Sequence, residues 1–160
     1  MKNSTKKITA QLKDAVNKTE DVTGNFKNGI GAVKSSDKAK ISVPDSRKLT
    51  GSLNIDDSTK ILYPNESRWD YAIEYNGETF FIEIHPGETS EVAVVINKLN
   101  WLKKWLKEKA PSIDAIKATS KPPFYWIFTS RFNILPTSKY YKQLSIAGLK
   151  PVRIWDFNKI

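Results

Sequence analysis

The sequence predicts an α/β protein with a central mixed β-sheet flanked by helices. Three observations support this class: an amphipathic helical segment near the start, a β-hairpin pattern in the middle, and two later helical segments that each precede a short apolar strand. A hairpin followed by alternating helices and strands favours a sheet with both antiparallel and parallel pairs. The 160 residues fit one domain, residues 1–160, because no repeat or linker divides them.

The first third of the chain combines one helix with a long basic loop. Residues 6–21 place Leu12 and Val16 on one face and charged side chains elsewhere, which is the pattern of an amphipathic helix. Residues 23–48 are rich in Gly, Ser and Lys and predict a basic loop with the composition of a mobile segment. Residues 50–55 then predict a short strand.

The strongest local signal is a β-hairpin over residues 68–85. Apolar and polar residues alternate on both sides of Asn76-Gly77, and both turn residues tolerate the positive φ of a type I′ turn. A two-residue turn also sets the register, because it pairs Tyr75 with Glu78 and so determines every other pair along the two strands.

The predicted register brings two carboxylates together on one face of the hairpin. Asp70 lies opposite Glu83, and Arg68 lies opposite His85. Directly opposed side chains have Cβ atoms roughly 5 Å apart, and two such charges repel by about 3 kcal/mol at an effective dielectric constant near 20. A divalent cation, a raised carboxylate pKa or a salt bridge to Arg68 would relieve this repulsion. The residues also allow a solvated strand face whose acids are paired with Arg68 and nearby lysines.

The second half of the chain continues with helices and strands in turn. Residues 89–109 predict a long helix with an acidic first turn and a basic end. Residues 124–129 form an apolar aromatic run typical of a buried strand. Residues 137–147 predict a helix that ends at Gly148, and residues 152–157 predict the last strand.

Asp70 followed by Glu83-Ile84-His85, in this order of elements, resembles the PD-(D/E)XK nuclease superfamily. The resemblance covers most of the chain and implies a restriction-endonuclease-like core. It also implies that Asp70 and Glu83 bind Mg²⁺ or Mn²⁺, with help from the backbone carbonyl of Ile84. In this family a glutamate of the first helix often completes the site, and Glu20 is the candidate here.

The sequence departs from the family pattern at His85, where the family usually has a lysine. A neutral imidazole can act as a general base near neutral pH, so His85 would orient or deprotonate the attacking water. The lysine has moved to another element in some family members, and Lys98 on the following helix can take its place. Lys98 or Arg68 would then stabilise the transition state. The alternative is a catalytically inactive nuclease-like module that binds nucleic acid or a partner protein.

The charge distribution predicts an anionic partner around an acidic centre. The net charge of +9 divides into −7 over residues 49–96 and +16 over the two flanks. Basic flanks and exposed aromatics are typical of nucleic-acid binding, and DNA is the expected partner. The candidate nucleic-acid contacts are Arg68, Lys98, Trp101, Lys104 and Arg131. A tryptophan that caps the core, and a small defence or antidefence protein that sequesters an acidic partner, are the alternatives left open.

The composition excludes several other classes of protein. The chain has no cysteine, which excludes disulfide scaffolds, thiolate metal sites and cysteine nucleophiles, and is typical of a reducing, cytoplasmic location. No apolar run is long enough for a transmembrane helix, so no membrane association is expected. A Gly-x-Ser-x-Gly motif is missing, which disfavours a serine hydrolase. The family resemblance leaves a homodimer open, since many enzymes of this fold act as dimers.

Overall fold

A computed structural model describes residues 10–160 and has a six-stranded mixed sheet with the strand order β1-β3-β4-β5-β6-β7. Its strands are β1 (Lys27–Asn28), β2 (Ile41–Ser42), β3 (Leu49–Asn54), β4 (Tyr71–Tyr75), β5 (Glu78–His85), β6 (Phe124–Phe128), β7 (Leu149–Val152) and β8 (Trp155–Asp156). Its helices are α1 (Leu12–Asn17), α2 (Ile55–Thr59), α3 (Val92–Glu108), α4 (Pro111–Asp114) and α5 (Lys139–Ala147). Strands β2 and β8 pair separately as a small parallel sheet.

The hairpin of β4 and β5 has the predicted turn and register. Asn76 and Gly77 have φ values of 52° and 79°, as a type I′ turn requires, and Tyr75 pairs with Glu78. The register prediction is therefore confirmed along the whole of β4. It places Asp70, the residue just before this strand, beside Glu83 near the end of β5.

Strands β5, β6 and β7 are parallel to one another, whereas β3, β4 and β5 pair antiparallel. The prediction of a mixed sheet is thus confirmed. Each parallel connection runs through a helix, α3 between β5 and β6 and α5 between β6 and β7. Because the three strands run in one direction, their carboxyl ends lie along the same edge of the sheet.

The two faces of the sheet are covered in different ways. On one face, helical residues such as Val16 and Leu99 pack against Phe81 and Trp126 in one buried cluster. On the other face, a second cluster includes Val33 and is closed by irregular segments and the small β2–β8 sheet. No residue of α1–α5 belongs to this second cluster in the described chain, so the helices pack on one side only.

The structure corrects two predicted elements. Residues 6–9 of the first predicted helix lie outside the described residues, and α1 begins only at Leu12 and ends at Asn17. The strand predicted at residues 152–157 is divided in the structure, because β7 ends at Val152 and β8 covers only Trp155–Asp156. The apolar residues that suggested it include Trp155, which is buried under the second face as part of β8.

The predicted basic loop at residues 23–48 contains more structure than its composition indicates. It carries the short edge strand β1 and the strand β2, and Val33 and Ile41 are buried in the second cluster. Two apolar side chains thereby attach this segment to the sheet.

Within residues 10–160, no helix combines the length and the hydropathy needed to cross a membrane.

Candidate active site

Two carboxylates are held together at the carboxyl end of β5. Glu83 is fully buried, and its Oε2 accepts a hydrogen bond from the backbone N–H of Asp70 at 2.9 Å. Asp70 Oδ2 in turn accepts from the backbone N–H of Ile84 at 2.9 Å. Each carboxylate is therefore oriented by the strand that carries the other, which follows from the hairpin register.

Lys98 of α3 completes this cluster. Its Nζ forms an ion pair and hydrogen bond with Glu83 Oε1 and remains partly exposed to solvent. Lys98 reaches the sheet because it lies three residues after Val95 and one before Leu99, both of which are buried on the face of α3 that packs on the strands. Of the basic residues predicted for the site, Lys98 is the one whose side chain the structure places on Glu83.

His85 lies at the rim of the cluster and is held by a carboxylate that the sequence did not indicate. Its Nε2 is 2.6 Å from Glu91 Oε2, and its Nδ1 is 3.9 Å from Glu83 Oε1. Glu91 follows the Pro86-Gly87 turn and stands just before α3. The one sequence feature that could have pointed to this contact is an acid in the first turn of the predicted helix, six residues after the only histidine.

Burial sets the electrostatics of the cluster. It raises the pKa of Glu83 well above the usual range, and the nearby charge of Asp70 raises it further. Burial also raises the pKa of Asp70. For Lys98, burial favours a lower pKa, but the charges of Glu83 and Asp70 outweigh it and leave the pKa raised. Both carboxylates are thus costly to ionise even with the Lys98 ammonium beside them.

The donor set around Glu83 fits a hydrated magnesium or manganese ion. Asp70 and Glu83 supply carboxylate oxygens, and Ile84 directs its N–H toward Asp70. Its carbonyl points to the same side, because the N–H and C=O of one strand residue face the same neighbour. Within residues 10–160 no three His, Asp or Glu side chains are grouped as a metal centre, so water would complete the shell, as Mg²⁺ commonly requires. In this structure the Lys98 ammonium is the cation beside Glu83.

Glu20 and Arg68, which were predicted for the site, do not contact Asp70 or Glu83 in the described structure. Glu20 is exposed in a 3₁₀ turn after α1, and no hydrogen bond or ion pair joins it to Asp70 or Glu83 in the described residues. Arg68 binds Asp56 Oδ1 through Nε at 2.8 Å and the carbonyl of Tyr63 through Nη1 at 2.7 Å. Its guanidinium therefore fastens the start of the hairpin to the α2 region.

The predicted nucleic-acid contacts lie on two separate surfaces. Trp101 stacks on Trp105 with ring centroids 5.8 Å apart, and its Nε1 donates to Glu66 Oε2 at 2.6 Å. One face of Trp101 is therefore already covered by the protein. Lys104 lines the same groove and is exposed, whereas Arg131 is exposed in the loop after β6.

A second buried glutamate, Glu74, has a structural role that the sequence did not indicate. Its Oε2 accepts from the backbone N–H groups of Gln11 and Leu12, both at 2.8 Å, at the start of α1. Its Oε1 accepts from the Thr50 hydroxyl at 2.6 Å. This carboxylate caps α1 and ties it to the sheet.

No family model, no curated protein and no solved structure matches this chain. What the protein does is therefore argued from the geometry of the Asp70–Glu83–Lys98 cluster and from the charges around it.

Proposed function

We propose that this protein is a metal-dependent nuclease with a restriction-endonuclease-like core, which hydrolyses phosphodiester bonds of DNA. The observation that carries the proposal is the convergence of Asp70, Glu83 and Lys98 at the carboxyl end of β5. Two carboxylates from adjacent strands and one lysine are the groups that metal-dependent phosphodiester cleavage needs, since they bind the ion and balance the charge of the phosphate.

In this proposal Asp70 and Glu83 hold Mg²⁺ or Mn²⁺, with the Ile84 carbonyl on the same side. The ion supplies a Lewis acid that polarises the phosphodiester and lowers the pKa of a water molecule. With such an ion held by Glu83, Lys98 would no longer be the cation that this carboxylate needs. Its ammonium can then face the phosphate and stabilise the negative charge that develops there.

His85 provides a base at the edge of the same cluster. When its Nε2 carries the proton and donates a hydrogen bond to Glu91, Nδ1 is left as an acceptor on the side of Glu83. Neutral imidazole accepts a proton readily near neutral pH, so His85 can take one from the attacking water. Glu91 fixes the ring orientation that this step requires.

The decisive experiment is digestion of supercoiled plasmid DNA with Mg²⁺ or Mn²⁺ and, separately, with EDTA. We expect cleavage only with metal, and its loss in Glu83→Ala. The matched control is Glu108→Gln, which removes an exposed carboxylate at the last residue of α3, and it should cleave like the wild type. Cleavage that persists in EDTA, or that is unchanged in Glu83→Ala, would contradict the proposal.

One observation favours a second function, an inactive nuclease-like module that binds nucleic acid. Lys98 already pairs with Glu83, so this buried carboxylate has a cation beside it without a metal ion. Titration calorimetry with Mn²⁺ separates the two functions. Binding in the wild type that disappears in Asp70→Ala supports the nuclease, whereas salt-sensitive DNA binding without any Mn²⁺ binding supports the module.

A further inference from the structure

A groove at the same edge of the sheet as Glu83 is lined by two arginines. The loop after β6 and the residue after β7 form it, and its lining residues are Phe128, Thr129, Ser130, Arg131, Phe132 and Arg153. Because β5, β6 and β7 are parallel, these residues follow the carboxyl ends of neighbouring strands and lie on the side of the sheet where β5 ends at His85.

The two groove arginines differ from the other arginines of the chain. Of the four, Arg47 is paired with Asp45 and Arg68 with Asp56. Arg131 and Arg153 are exposed, and neither forms an ion pair with a carboxylate among the described residues, which include every Asp and Glu of the chain. Two unpaired guanidinium groups in one groove are suited to phosphate, which arginine binds through two parallel hydrogen bonds.

The groove is also fixed in position relative to the candidate active site. Three hydrogen bonds join its loop to the end of β5: Thr129 N–H to the His85 carbonyl at 3.2 Å, Gly87 N–H to Ser130 Oγ at 3.1 Å, and Asn133 N–H to the Gly87 carbonyl at 3.1 Å. A Cβ atom on Gly87 would lie 3.1 Å from the Arg131 carbonyl oxygen, so the two segments pack closely. A strand bound in the groove would be held at a set distance from His85.

We infer that this groove, named here the Arg131–Arg153 groove, binds backbone phosphates of the nucleic-acid strand whose neighbouring phosphodiester enters the Asp70–Glu83 site. The inference rests on the proposed nuclease function for its substrate but uses different residues. Phe128 and Phe132 stack on each other with centroids 4.6 Å apart and supply an aromatic surface beside the two guanidinium groups. Such a surface suits a base of the same strand.

The test is DNA binding measured by fluorescence anisotropy in EDTA across a range of salt concentrations. Arg131→Gln/Arg153→Gln should weaken binding about tenfold or more, and should lower the salt dependence by about two phosphate contacts. The matched control is Lys107→Gln/Lys109→Gln, which removes the same charge at the carboxyl end of α3. This end lies roughly 25 Å along the helix from its first residue, and the groove loop contacts the segment just before that residue. Circular dichroism checks that both double variants are folded.

The inference is overturned if the two double variants bind equally well, or if wild-type DNA binding shows no salt dependence. Its failure differs from failure of the nuclease proposal, because the measurement needs no metal and no cleavage. A wild type that never cleaves DNA, but loses binding in Arg131→Gln/Arg153→Gln and not in the lysine control, supports the groove alone.

Discussion

The two buried glutamates of the hairpin, Glu74 and Glu83, are alike in burial and differ in their partners. Both are inaccessible to solvent. Glu74 receives two backbone N–H groups and a hydroxyl, all neutral and all fixed by α1 and β3. Glu83 faces a lysine on a flexible side chain, with a second carboxylate beside it. The first arrangement stabilises the fold, whereas the second pairs charges that, in the proposed function, would be rearranged around a metal ion.

Lys98→Met should have the largest effect on the Glu83 region. It leaves Glu83 buried without a cation, so we expect a loss of about 3 kcal/mol in the free energy of unfolding at neutral pH, together with loss of DNA cleavage. Urea unfolding and plasmid digestion measure the two effects. The double variant Lys98→Met/Glu83→Gln should recover most of the stability and none of the cleavage, and a double variant as unstable as Lys98→Met would argue against the ion pair as the cause.

Glu74→Gln should show the opposite pattern in the Glu74 region. With the amide oxygen on the N–H groups of α1, the amide nitrogen can donate to the Thr50 hydroxyl. The proton of that hydroxyl then loses its acceptor, which should cost about 2 kcal/mol of stability. Metal-dependent cleavage per folded molecule should be unchanged, as measured at a temperature where the variant is folded. Loss of cleavage in a fully folded Glu74→Gln would show that Glu74, like Glu83, is needed for activity, and would contradict a purely structural role for Glu74.

The pH dependence of stability in EDTA should show that the pKa of Glu83 is raised in the folded protein. A carboxyl whose folded pKa is raised is favoured in its protonated form, so its contribution to stability is present at low pH and is lost as the pH rises through that folded pKa. We expect the free energy of unfolding of the wild type to fall, relative to Glu83→Gln, as the pH rises from about 4.5, by about 1.4 kcal/mol for each unit by which the pKa is raised. Urea titrations at several pH values measure this difference, and parallel curves for the two proteins would contradict it.

The smallest effects should come from residues at the margin of the cluster. Glu91→Gln should slow cleavage about tenfold, since it weakens the orientation of His85 without removing the base. Glu20→Gln should stay within about twofold of the wild type, because its exposed side chain makes no contact with Asp70 or Glu83 in the described structure. Initial rates of cleavage measured across pH compare the two variants, and a larger loss in Glu20→Gln would restore Glu20 to the candidate site.

The hairpin was predictable because its information is local. A two-residue turn sets the pairing, and the period of two then assigns Asp70 and Glu83 to one another. The family resemblance led us to expect Lys98 in the site, whereas its ion pair with Glu83 was not predicted. These inferences needed no knowledge of how distant segments pack.

The parts that sequence could not supply depend on distant contacts. The donors to Glu74 lie about sixty residues away at the start of α1, and no periodic pattern links them. The contact of His85 with Glu91 depends on how the chain turns between β5 and α3. The last predicted strand is divided because Trp155 pairs in the small β2–β8 sheet and not in the main one, which the local pattern does not indicate.

The Asn76-Gly77 turn, at the opposite end of β5 from the candidate active site, determines which side chains face each other in that site. Both residues have positive φ, which confines the turn to two residues and so sets which face of the strand each later side chain occupies. One residue inserted there would shift the pairing of β5 by a single position, and Glu83 would turn toward the aromatic second face, away from Lys98. A length change in a solvent-facing turn would therefore separate the residues of the candidate site while leaving each of them in the sequence.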